Sequence, residues 1–399
     1  MNGSRVYLLL LFCLVLLSCS KSNNSAPTPV SVTSTLTVVD VIQARETKIV
    51  SSFRFFINVS PVNPQDIKVN YTTKDGTAVG GKDYVPTSGT LTIAANKSFA
   101  YVDVNVVADS LRQAVQTFTL ELSAPVNATL VGTGKATATI QNDGTYLPTD
   151  NTGYSTPSSY PGYTLAWSDE FSARSLDLTA WNQEIGNGAN GWGNHELEYY
   201  TNSTKNSFLS NGNLIIEARK EAISGFNYSS ARLTTQNKKS FKYGRIDIRA
   251  KLPVAKGMWP ALWMLGSNIT SVPWPGCGEI DIMELVGSAP SNVKATLHWK
   301  DGAGNHASKG ADYTLSGGNF SQQFHVFSLI WVKDMVKCYV DDHLTATVTS
   351  TDLGAVTNPF NADQFFIFNV ATGGDWPGPP DLSTSFPQQM FVDYVRVFQ

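Results

Sequence analysis

Three carboxylates stand close together in the run Gly278-Glu279-Ile280-Asp281-Ile282-Met283-Glu284-Leu285-Val286-Gly287, interleaved with apolar side chains. Acids at this density can do acid–base or nucleophilic chemistry on one bond. Alternation of polar and apolar residues is the period-two mark of a strand, so Glu279 and Asp281 share one face while Ile280 and Ile282 enter the core. Glu284 falls out of step. Strict alternation would bury its charge among the isoleucines, so a β-bulge near Met283 that absorbs one residue is predicted. All three acids then point into one groove, where they raise one another's pKa, at a cost in stability and to the benefit of acid–base chemistry. With the bulge, the outer acids lie roughly 13 Å apart at Cα, at ~3.3 Å per strand step. Leaning side chains bring the carboxyls to about 5–6 Å, nearer the ~5–5.5 Å of a retaining glycosidase than the ~6.5–9.5 Å of an inverting one. The plain alternative is a solvated strand with three surface acids; the flanking glycines and the aromatic neighbourhood argue against it.

The acid run resembles the active-site strand of glycoside hydrolase family 16 in its longer, bulged ExDxxE form. The resemblance extends through Trp192-Gly193-Asn194, Tyr243-Gly244-Arg245, the run Gly257-Met258-Trp259-Pro260-Ala261-Leu262-Trp263-Met264, Leu297-His298-Trp299 and Val392-Asp393-Tyr394-Val395-Arg396-Val397. Within the family the chain is most similar to the bacterial laminarinases, which are endo-β-1,3-glucanases. That resemblance implies a double displacement, with Glu279 as nucleophile, Glu284 as acid and then base, and Asp281 sharing a proton with Glu279. Chemistry supports the division: a nucleophile must be ionised while an acid holds its proton, so their environments must push the two pKa values apart. The resemblance further implies sugar contacts from Arg232 and Asn190. Trp259 and Trp263 are expected on an irregular stretch beside Pro260, one of them in the core and Trp259 as the stacking platform. His298 shares a polar face with Thr296 and Lys300, which suits either a hydrogen bond to substrate or to Glu284, or a structural role. Trp376, in a loop at the expected cleft rim, could stack on sugar or cover the core. No cofactor is expected for catalysis. A structural calcium is implied on the far side, held by the carbonyls of Glu170 and Gly212 and the side chain of Asp393. Other polysaccharides, such as mixed-linkage glucan, agarose, carrageenan or porphyran, remain open as substrates. A glycan-binding protein without turnover is the reading of a different class.

At 399 residues with a formal net charge of −3, the chain is long enough for two domains and offers no basic patch for nucleic acid. Aromatics at 11% and charged residues at 15% suit a β-rich globular protein with rings to spare for sugars. The expected fold class is all-β: an N-terminal immunoglobulin-like sandwich (31–143), a linker (144–161) and a concanavalin-like jelly roll (162–399), acting as a monomer on a β-glucan. Arg5, the apolar run Val6–Leu17 and Ser18-Cys19 read as a secretory signal (1–18), since the run is short for a bilayer crossing. Leu16-Leu17-Ser18-Cys19 resembles a bacterial lipobox. Lipidation at Cys19 is therefore expected, with 19–30 as a tether to the outer membrane or a periplasmic face. Of the remaining cysteines, Cys277 and Cys338 are expected as buried free thiols, with pairing as the alternative.

From Ser34 to Gln141 strands follow one another without a helical period: Ser34–Ile42, Phe53–Val59, Ile67–Thr73, Gly89–Ile93, Phe99–Val107, Thr117–Leu122 and Lys135–Gln141. Tyr71-Thr72-Thr73-Lys74-Asp75-Gly76-Thr77-Ala78, Asp83-Tyr84-Val85-Pro86 and Ile140-Gln141-Asn142-Asp143 resemble the Calx-beta module, whose members often bind calcium at one end. Glu46, Asp75, Asp109 and Asp143 are candidate ligands, but Gln113 and Gln116 stand where acids are expected. A spacer or weak interaction module is the expected role. The second half is again strands, at Leu214–Ala218, Tyr243–Lys251, Glu279–Glu284, Lys294–Trp299, His325–Val332, Met335–Val340, Gln364–Asn369 and Met390–Val397. The absence of a βαβ rhythm excludes a parallel barrel.

Overall fold

The computed structural model describes residues 32–142 and 146–399. The expected signal, tether and lipidation site at Cys19, together with Asp143, lie outside the described residues. The described chain holds two sandwiches with separate cores. In the first, a four-stranded sheet faces a five-stranded one. Its central strand Ser51–Ser60 alternates buried and exposed without a break, placing Phe53, Phe55, Ile57 and Val59 in the core. The opening strand is broken, contrary to expectation. Ser34–Val38 joins one sheet and Val41–Ala44 the other, with the switch at Val39–Asp40. Asp40 accepts a hydrogen bond from the Thr137 amide there, which holds the crossing in place.

The second sandwich stacks a ten-stranded sheet on a seven-stranded one over one large apolar core. The seven-stranded sheet runs Asn182–Gln183, Arg232–Thr234, Gln364–Thr372, Met258–Gly266, Glu279–Glu284, Asn292–Lys300, His306–Thr314. Its inner face supplies Leu262, Met264, Ile280, Leu297, Phe366 and Phe368 to the core, so its outer face is free to carry chemistry. Two strands depart from the sequence reading. Met258–Gly266 is one continuous strand, although Pro260 sits within it. Pro260 lacks only a donor, and its carbonyl still accepts from the Leu285 amide. His306–Thr314 is a polar edge strand with no apolar alternation to reveal it.

Residues 146–161 are laid along the second sandwich. Arg249 donates to the carbonyls of Asn151 and Tyr154, and the Tyr394 hydroxyl accepts from the Thr156 amide. Cys277 and Cys338 are buried free thiols, and burial pushes them up to about 11 and about 12.

Candidate active site

The bulge is present. Across from Glu279–Glu284, Leu262 pairs with Met283 but Trp263 pairs with Asp281, and on the other side Thr296 pairs with Asp281 while Lys294 pairs with Glu284. One extra residue is therefore absorbed at Ile282–Met283, and both side chains enter the core. Apolar side chains at two successive positions drive the irregularity, since each gains about 1.5–3 kcal/mol by burial. Glu284 is thereby returned to the outer face with Glu279 and Asp281. Glycines bound the strand for steric reasons. Gly278 has φ +80, and a Cβ there would lie 2.9 Å from Pro359 Cβ; a Cβ at Gly287 would overlap the Ala255 carbonyl.

Register aligns the rest of the site in rows. Arg232, Asn369, Ala261 and Glu284 lie side by side on successive strands, then Trp263 beside Asp281, then Leu265, Glu279 and His298. All of these outer-face residues except His298 line a cavity of about 310 Å³ together with Trp259, Trp192, Asn194, Glu196 and Trp274. Trp259 and Trp263 are four apart on a regular strand, so both face outward, and the expectation that one is core is corrected. Trp259 Nε1 donates to Glu284 Oε1 at 3.1 Å, and Trp263 Nε1 donates to Asn369 Oδ1 at 2.8 Å. Arg232 lies over the rings of Trp192 and Trp263 and is held by Glu184 at 2.7 Å, which fixes it as part of the cleft wall. Trp376 stands edge-on against Trp259 with ring centroids 5.5 Å apart, extending the aromatic wall.

Burial does most to the electrostatics. It pushes the Glu284 carboxyl well above the usual carboxylate range, with the charges of Asp281 and Glu279 adding to the effect. Asp281 is raised by burial first and then by Glu279 beside it. A raised value favours the protonated form of Glu284. Two neighbours of the acids went unread in the sequence. Trp274, half-exposed on the loop before the strand, donates from Nε1 to Glu279 Oε2 at 2.7 Å. His306 lies 2.8 Å by Nε2 from His298 Nδ1. His298 itself faces Asp281, with Nε2 3.1 Å from Oδ2, and makes no hydrogen bond to Glu284.

Asn190 stands outside the cavity lining. It is exposed at φ 55 and opens the tight turn Gly191–His195, where its carbonyl accepts from the amides of Gly193 and His195; Asn194 lines the cavity instead. The proposed calcium set also meets a competitor. Asp393, its one side-chain ligand, receives Arg249 Nη1 at 2.7 Å, while the Glu170 side chain pairs with Arg396. Calcium wants six to eight oxygens, several of them charged, and a guanidinium on the carboxylate fits it poorly. Among the acids of the cleft, one ligand atom each from Glu279, Asp281 and His298 lie within 4.8 Å of one another, a grouping that could hold a metal ion.

The family profile described as Glycosyl hydrolases family 16 matches residues 194–396, and the profile described as Calx-beta domain matches residues 36–144. The chain is 41% identical over 254 residues to Beta-glucanase of Rhodothermus marinus, across 60% of this chain and 86% of that one. It is 39% identical over 268 residues to Glucan endo-1,3-beta-glucosidase A1 of Niallia circulans, across 62% of this chain but only 39% of that protein's length. Among solved structures, the laminarinase catalytic domain from Thermotoga maritima superposes with a TM-score of 0.56 at 48% identity, covering 59% of this chain and 98% of that one. With an aromatic-walled cavity built on a bulged acid strand and these matches over the same residues, the chain belongs to glycosyl hydrolase family 16, with a Calx-beta domain ahead of the hydrolase fold.

Proposed function

We propose that the chain is a retaining endo-β-1,3-glucanase. The observation that carries this reading is the Ile282–Met283 bulge, which returns Glu284 to the face of Glu279 inside one cavity. In the proposed cycle the Glu279 carboxylate attacks the anomeric carbon while Glu284 gives its proton to the leaving oxygen. Glu284 then takes a proton from water, which cleaves the glycosyl ester. Asp281 keeps a proton between itself and Glu279, and the Trp274 indole holds the Glu279 oxygen in line. The open tryptophan-lined face suits a polymer passing through, and relatives named as acting on β-1,3-glucan favour laminarin over other polysaccharides. The test is laminarin digestion followed by proton NMR of the first anomer formed. Retention is expected, and Glu279→Gln should lower the rate by far more than about a hundredfold. An inverted product, or a variant that keeps its rate, contradicts the reading.

The Cys19 proposal is of the same kind: a lipid-anchored exported enzyme, for which Cys19→Ser should release the protein from the membrane fraction. No step of the proposed reaction passes through calcium.

A further inference from the structure

Beside the catalytic acids lies a second pair of buried carboxylates that the reaction does not use. Glu196 and Glu198 follow the Gly191–His195 turn and are 6% and 0% exposed. Glu198 Oε2 accepts from the Thr372 amide at 2.6 Å, and its Oε1 meets no donor. Burial and then the Glu196 charge push Glu198 well above the usual carboxylate range. After burial, the neighbouring Glu196 carboxyl is what favours a proton on Glu198. Glu196 in turn accepts from Asn194 Nδ2 at Oε1 and from the Tyr200 hydroxyl at Oε2. An ionised carboxylate has about four acceptor positions. Asn194 and Tyr200 fill two of them, and Glu196 lines the cavity with acceptor capacity left over.

Its position suits a sugar subsite. A Cβ on Gly374 would lie 3.0 Å from the Asn194 carbonyl, 3.7 Å from Glu196 Cγ and 3.8 Å from Trp259 Cζ3, so the Glu196 side chain and the indole both border Gly374. The Tyr200 hydroxyl accepts from Asn369 Nδ2, and Asn369 accepts from Trp263, so one chain of hydrogen bonds joins Glu196 to the second indole. We infer that Glu196 is a specificity-determining residue of the cleft, an anionic acceptor for one hydroxyl of the glucosyl unit bound on the Trp259 side, with Glu198 positioning it. The inference rests on the β-glucan reading above. A site built to bind a hydroxyl rejects analogues that lack it, and a carboxylate there disfavours sugars carrying anionic esters.

The test separates this inference from the reading beneath it. Binding of laminaritriose and its monodeoxy analogues is measured by calorimetry on full-length Glu279→Gln, with and without Glu196→Gln, after thermal melts confirm folding. The parent is expected to bind laminaritriose, and Glu196→Gln to weaken it about tenfold, as loss of a charge-assisted hydrogen bond requires. One monodeoxy analogue should lose affinity for the parent but not for the double variant. Failure of the parent to bind laminaritriose overturns the β-glucan reading. Equal binding by both proteins, or the same deoxy penalties in both, overturns the role of Glu196. Should Glu196→Gln not fold, a crystal structure of Glu279→Gln with laminaritriose decides: a sugar hydroxyl in hydrogen-bond contact with the Glu196 carboxylate supports the inference, and none overturns it.

Discussion

In the proposed cycle Glu284 trades stability for chemistry. Its folded pKa is raised above the ordinary value of 4.5, so the folded state holds this proton more tightly than the unfolded chain. That contribution is full below the unfolded value and is lost as pH rises through the raised folded value. Asp281 and Glu198 are raised too and act with the same sign. Glu284→Gln, which stays neutral at every pH, should abolish hydrolysis yet melt higher than the parent, by about 2–4 °C for each kcal/mol relieved. The gap should widen as pH rises above the ordinary value of 4.5 towards the raised folded value, as followed by thermal melts. A constant gap would show that the carboxyl titrates alike in the folded and unfolded chain, which would contradict the raised folded value. Activity of the parent should decline on the alkaline side, as the proton that the acid must donate is lost.

The acid strand works only if its ends and its irregularity are fixed. Gly278→Ala places a side chain in left-handed backbone and against Pro359, which should cost about 1–3 kcal/mol and lower kcat by misplacing Glu279. Chemical denaturation and steady-state kinetics on the variant check both effects; a neutral result would mean that the strand entry tolerates movement. The bulge was legible in the sequence because a charge at the Glu284 position could not be buried unpaired. The Met258–Gly266 strand was misread because Pro260 signals a break, whereas its missing donor costs nothing at a place where only its carbonyl is used. The His306–Thr314 strand carried no apolar period, so His306 could not be set beside His298 until the pairing was known. Trp274 and Glu196 reach the site from a loop and a turn, where spacing along the chain does not encode direction in space.

Between the two sandwiches, Asp109, one of the candidate calcium ligands, is given over to arginines. Asp109 is held by Arg45 of its own domain and, at 2.7 Å, by Arg174 of the second; Arg174 also reaches Asp83 at 3.0 Å. Asp75 is engaged by the Tyr84 hydroxyl and the Gly80 amide. Arg112 adds a backbone contact to Leu209 and a guanidinium over Phe208, so the Calx-beta unit is clamped to the hydrolase by charge and packing. Guanidinium groups placed on these carboxylates supply the positive charge that calcium would bring. Millimolar calcium should therefore leave the melting midpoint unchanged, since a ligand that bound the folded state would raise it. Arg174→Ala should remove about 1.5–3 kcal/mol of charged hydrogen bonding and split a single calorimetric transition into two. A calcium-dependent rise, or one unchanged transition in the variant, would contradict the clamp.

The central claim is that the bulge presents Glu279 and Glu284 to opposite sides of one glycosidic bond, with Glu279 as the atom donor in the covalent step. An activated 2-deoxy-2-fluoro β-1,3-linked glucosyl fluoride traps that step, and peptide mass spectrometry locates the label. The adduct is predicted on Glu279. Rapid laminarin hydrolysis with no adduct, or an adduct on Glu284, would contradict it.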